Sequence, residues 1–183
     1  MLALIIGGAG SGKSEYAEKL AVRLAEKEGT PLVYLATMAA GSPEADARIA
    51  RHRRNRAGRG FVTVEKYTDL SSISFEEGKG PAGCGTLYGA TVLLEDLGNL
   101  LGNEMFLPEG GGTEAVLDWI RHIEKNSRNL ILVANEVFSD GRRYDEETQR
   151  YLREMALIHR KLAARAQYAA EIVCGRVNIL KEG

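Results

Sequence analysis

Gly7, Gly12, Lys13 and Ser14 fall in the order G-x4-G-K-S, between the apolar run LALII at 2–6 and a charged amphipathic stretch at 13–28. Glycines at this spacing let successive backbone N–H groups turn inward around phosphate oxygens, and a helix that follows presents its positive N-terminal end to the same anion. Lys13 adds a mobile cation for the β- and γ-phosphates, and Ser14 a hydroxyl for Mg²⁺. Gly7, Gly8, Ala9, Gly10, Ser11, Gly12, Lys13 and Ser14 are therefore candidate nucleotide-binding residues. A glycine turn that only joins strand to helix would require neither the lysine nor the serine. The pattern thus reads as a nucleoside triphosphate loop.

Such a loop requires a carboxylate at the end of another apolar strand to hold the water shell of the metal. VLLEDL at 92–97 offers Glu95 and Asp96. We assign Glu95 to metal (with Ser14, through water) or nucleotide, and Asp96 to the N-cap of a following helix, a position that favours aspartate. A second cluster follows helical geometry: Glu44, Arg48, His52 and Arg56 recur every four residues, with Arg53 on the flank. Alone, this is a solvated basic face with a Glu44–Arg48 pair. Beside a phosphate loop, the guanidiniums gain a second use, since their forked N–H groups neutralise phosphate charge and favour a neutral imidazole. A neutral imidazole can attack phosphorus near physiological pH. His52 and Lys13 are the candidate catalytic residues, whereas His122 and His159 read as helix-surface residues.

Composition narrows the classes. The 183 residues include 24 basic and 25 acidic side chains, a net charge of -1, with 44% hydrophobic residues. That balance suits a soluble single-domain enzyme over residues 1–183 and argues against a dedicated nucleic-acid binder. The arginine run is local, so its target should be small and anionic. Cys84 and Cys174 lack CxxC or histidine partners at zinc-ligand spacing. MLALII is too short to span a membrane, and the expected location is the cytoplasm.

The elements that must position these residues alternate. Apolar runs of buried-strand length occur at 2–6, 32–37, 92–97, 130–137 and 171–175, with FVTVEKY at 61–67 as an edge strand and NILK at 178–181 as a closing hairpin partner. Amphipathic stretches at 13–28, 44–57, 113–126 and 145–168 separate them. Strand alternating with helix predicts an α/β fold with a mostly parallel sheet flanked by helices. GKGPAGCGTLYG and PEGGG read as exposed, mobile loops.

Taken together, GGAGSGKS at 7–14, YLAT at 34–37, RIARHRRNR at 48–56, VTVE at 62–65, LLED at 93–96 and NEV at 135–137 resemble, in order, the bifunctional adenosylcobinamide kinase/adenosylcobinamide-phosphate guanylyltransferases of cobalamin synthesis. The resemblance implies a RecA-like P-loop NTPase fold and two reactions. The first is phosphorylation of a cobinamide hydroxyl by ATP or GTP with Mg²⁺. The second is transfer of GMP from GTP to that phosphate through a guanylyl-histidine matching His52. It also implies Thr37, Arg53, Arg56, Glu65 and Glu95 in nucleotide binding, a corrinoid substrate and a homotrimer. The chain departs from the family pattern at Gly10, where an arginine is common, and in FSDGRRYDEE and ALIHRK after Val137. Two other readings are a small-molecule kinase without guanylyl transfer and a non-enzymatic nucleotide-dependent binding protein.

Overall fold

The computed structural model describes residues 1–39, 41, 43–75 and 87–183, apart from the side chains of residues 44, 45, 48 and 55. The expected Glu44–Arg48 pair, Cys84 and most of the loop GKGPAGCGTLYG lie outside the described residues. Seven strands form one sheet: β1 (Leu2–Gly7), β2 (Leu32–Ala36), β3 (Val62–Glu65), β4 (Thr91–Glu95), β5 (Asn129–Asn135), β6 (Tyr168–Val173) and β7 (Arg176–Glu182). Their order is β3-β2-β4-β5-β1-β6-β7. All neighbours are parallel except the β6–β7 hairpin. The central strands read as unbroken apolar runs because helices cover both faces of a parallel sheet.

Alternation along β1 shows the two layers. Leu2 and Leu4 face a core shared with α3 (Leu97–Phe106), α4 (Gly112–Asn126) and α5 (Glu146–Arg165). Ala3 and Ile5 face a second core, built with α1 (Lys13–Glu28). Ala17, Ala21 and Ala25, four apart on α1, bring that helix close to the sheet. The remaining helix, α2 (Pro43–Arg56), carries the arginine cluster between β2 and β3.

The edge position of β3 and the terminal hairpin match the sequence expectation. Two elements differ. α3 appears where no amphipathic stretch was expected, because LGNLLGNEMF is apolar around much of its circumference and contains two glycines. β6 begins at Tyr168, not 171, and its opening residues Tyr168–Ala170 lack the β-branched side chains that signal a strand.

Parallel pairing puts the C-terminal ends of five strands on one edge. Gly7 lies opposite Asn135, Ala36 opposite both Glu65 and Glu95, and Glu95 opposite Val133. Open parallel sheets bind ligands at this edge.

Candidate active site

The phosphate loop starts at the end of β1. A Cβ at Gly7 would lie 2.5 Å from Ser11 Oγ and 2.6 Å from the Ile172 carbonyl oxygen, so only glycine fits. Gly12 adopts φ 94°, in the left-handed region, and caps α1 without a side chain to occupy the first-turn N–H groups. Those groups are left for an anion. The loop is braced on both sides: Gly175 N–H donates to the Ser11 carbonyl at 2.9 Å, and Glu136 N–H to that of Gly7 at 3.0 Å. Lys13 is 8% exposed, and its Nζ donates to the Gly8 carbonyl at 3.2 Å.

Glu95, at the end of β4, organises the site. Its carboxylate accepts a short hydrogen bond from Ser14 Oγ and a 3.0 Å bond from Tyr34 Oη. His52 Nδ1 lies 3.7 Å from Glu95 Oε1. The loop serine, the strand carboxylate and the helix histidine thus converge from α1, β4 and α2. All three line a cleft of about 670 Å³ that also includes Lys13, Arg51 and Asn135. The adjoining Tyr34 hydroxyl is pushed well above its ordinary range by burial and the charge of Glu95.

The other expected ligands lie beside this cleft. Arg56 is 7% exposed, with its guanidinium carbon 3.3 Å from the centroid of the Tyr34 ring. Its Nε and one terminal nitrogen have no hydrogen-bond partner among the described residues. Arg53 pairs with Glu65, which also accepts from Tyr67 Oη at 3.3 Å. The Arg53 hydrogen bond and charge hold the Glu65 carboxyl below its usual range. Arg53, Arg56 and Glu65 line a small second cavity that shares His52 and Glu95 with the cleft. Thr37 is fully buried, and its hydroxyl donates to the Asp96 carbonyl at 2.8 Å, tying β2 to the start of α3. Asp96 is the N-cap of α3: it accepts from Asn99 N–H at 2.7 Å and from Asn135 Nδ2 at 3.3 Å.

Hard oxygen donors suit Mg²⁺, and the Ser14 hydroxyl and Glu95 carboxylate stand together beside the loop, so the residues present fit that ion. Of the remaining histidines, His122 is exposed, as expected. His159 is not a surface residue: it is buried on α5, edge-on to Phe138 at 5.5 Å, and burial lowers its pKa.

Glu18 was missed by sequence reasoning. It is 2% exposed and accepts from Arg59 Nη1 at 2.8 Å, and burial together with the Glu95 charge pushes its carboxyl up to about 7. One ligand atom each of Glu18, His52 and Glu95 lie within 4.8 Å of one another. The four-residue step from Ser14 to Glu18 was the available signal, since it places both on one face of α1.

The fold is shared with P-loop ATPases. The chain aligns over 99% of its length with 76% of a structure solved as an isolated ATPase domain, at a TM-score of 0.54 and 14% identity. It aligns over its full length with 78% of the flagellar accessory protein FlaH from Methanocaldococcus jannaschii, at 0.51 and 12% identity. These likenesses establish a P-loop NTPase architecture. Sequence reaches further: the chain is 32% identical over 175 residues to the bifunctional adenosylcobalamin biosynthesis protein CobP of Pseudomonas aeruginosa, covering 94% of this chain and 92% of that protein. The family described as cobinamide kinase / cobinamide phosphate guanyltransferase matches residues 3–180, a span that includes the loop, the arginine helix and Glu95. With motif, fold and near full-length similarity in agreement, the chain belongs to the cobinamide kinase / cobinamide phosphate guanyltransferase family.

Proposed function

We propose that this chain phosphorylates adenosylcobinamide with ATP or GTP and then transfers GMP from GTP to the new phosphate through guanylyl-His52, giving adenosylcobinamide-GDP in assembly of the cobalamin nucleotide loop. The observation that carries this reading is His52 beside Ser14 and Glu95 at the mouth of the phosphate loop. The Glu95 carboxylate facing Nδ1 favours the tautomer protonated there, which leaves the lone pair on Nε2. Nε2 attacks the α-phosphorus, a P–N bond forms, and the bond to the bridging oxygen breaks with its electron pair leaving on pyrophosphate. A phosphate oxygen of the corrinoid then attacks the same phosphorus, and the P–N bonding pair returns to His52.

Backbone N–H groups of the loop and Lys13 hold the triphosphate oxygens, with Arg51 at the cleft wall adding positive charge. The unsatisfied N–H groups of Arg56 are suited to a nucleotide oxygen, and the Arg53–Glu65 pair borders the same cavity. Thr37 contributes by fixing the end of β2. Mg²⁺, held by Ser14 and by Glu95 through water, would neutralise phosphate charge. The kinase step requires the same loop but no protein nucleophile.

Incubation with α-labelled GTP tests the reading. Wild type should carry one GMP per chain through a bond labile in acid and stable in base, the behaviour of a phosphoramidate. His52→Ala should carry none, while Glu95→Gln should impair both steps. Label that survives acid, or that persists in His52→Ala, leaves the simple-kinase alternative. A homotrimer in the cytoplasm completes the proposal. No helix among the described residues is long and apolar enough to cross a membrane, and Val177, Ile179 and Leu180 on β7 expose apolar surface suited to contact between subunits. Sedimentation of the purified protein checks the subunit number. The balanced net charge of -1 favours small-molecule partners over nucleic acid.

A further inference from the structure

Glu18 takes no part in holding nucleotide in the reading above, yet it is the most deeply buried carboxylate next to His52. Burying a carboxylate is unfavourable unless a partner compensates. The partner here is Arg59, three residues beyond the end of α2, whose own N–H donates to the Arg56 carbonyl at 3.0 Å. The 2.8 Å ion pair therefore joins α1, the helix that carries the phosphate loop, to the segment that directly follows the helix carrying His52. Two carboxylates, Glu18 from α1 and Glu95 from β4, flank the imidazole.

We infer that Glu18 is a positioning residue for His52, and that its ion pair with Arg59 latches the end of α2 against α1 so that the imidazole faces the phosphate cleft. The inference rests on guanylyl-His52 as the intermediate. Glu18 touches neither nucleotide nor the reacting atoms in this assignment. Its contribution is to limit the imidazole to the orientation set by Glu95 and to hold α2 at the distance required for attack. Misplacement of a reacting group by about 1 Å costs on the order of a hundredfold in rate.

Single-turnover labelling with α-labelled GTP distinguishes this role from a purely structural one. Glu18→Ala should still accept one GMP per chain, with unchanged half-saturation by GTP, but label about 10- to 100-fold more slowly. Glu18→Gln retains an oxygen acceptor for Arg59 and should recover most of the rate. Arg59→Ala should slow labelling like Glu18→Ala, and the double variant should be no slower than either alone, since both remove one latch. Wild-type rates in Glu18→Ala overturn the inference. So does a reduced amplitude in which the surviving fraction reacts at the wild-type rate, because that reports lost folded protein. Multiplying effects in the double variant also overturn it. Absence of label from wild type itself rejects the guanylyl-His52 reading and the inference together.

Discussion

At the level of single residues, Lys13 and Glu95 illustrate how local pattern and tertiary placement divide the work. Lys13 sits among loop backbone atoms with its ammonium on the Gly8 carbonyl, a contact that a triphosphate oxygen can replace. Lys13→Ala should weaken GTP binding by about 1.5–3 kcal/mol, roughly ten- to a hundredfold, as read by calorimetry. Binding equal to wild type would remove Lys13 from the ligand set. The loop was legible because its eight residues are contiguous and each glycine has a backbone reason to be there. Glu95 was legible from its place at a strand end. Glu18 and Tyr34 were not: on α1, Glu18 sits in a run of Glu and Lys residues that reads as a solvated face, and only packing of β2, β4 and α2 makes it a buried neighbour of His52. Arg56 looks like its exposed neighbours in sequence, and its stack on Tyr34 arises only from the fold.

At the level of elements, strands buried on both faces were readable as apolar runs, whereas α3 was hidden by its own burial. Its start, however, was marked by Asp96. Asp96→Ala should destabilise the protein by about 0.5–2 kcal/mol in urea titration, and Asp96→Asn should recover most of the loss, because both side chains accept from the Asn99 N–H. α5 carries a different consequence. His159 was expected on the surface because ALIHRK is flanked by charges, yet it lies on the apolar side of the helix against Phe138. Burial lowers its folded pKa, with the Glu136 charge acting in the opposite direction. Below its unfolded pKa of about 6.5 the unfolded chain takes up a proton that the folded chain resists, so stability is present above that pH and lost as pH falls. The stability difference between His159→Leu and wild type should therefore shift in favour of the variant from pH 7 to pH 5 in chemical denaturation. A difference independent of pH would show that the imidazole titrates alike in both states.

At the level of the whole molecule, the site exists only when distant segments meet: the loop after β1, Glu95 at the end of β4, Asn135 at the end of β5 and His52 on α2 share one cleft. The unfolded chain has no such cleft, so nucleotide binds the folded state alone and stabilises it by mass action. At a GTP concentration about a hundred times Kd, that linkage is worth ~2.7 kcal/mol. For a chain of 183 residues, it corresponds to a rise in melting temperature of about 5–10 °C. Because Ser14 and Glu95 stand where Mg²⁺ would meet the phosphates, adding EDTA should remove much of that rise while leaving the melting temperature of the nucleotide-free protein unchanged. Lys13→Ala should lose a similar part of the rise at the same GTP concentration, since a ten- to hundredfold weaker Kd lowers the linkage term by up to most of its value. Thermal scans of both proteins, with and without GTP, Mg²⁺ and EDTA, check the argument. A shift that survives EDTA in full would mean that triphosphate is held by the loop and arginines without the metal, and would detach Glu95 from metal binding.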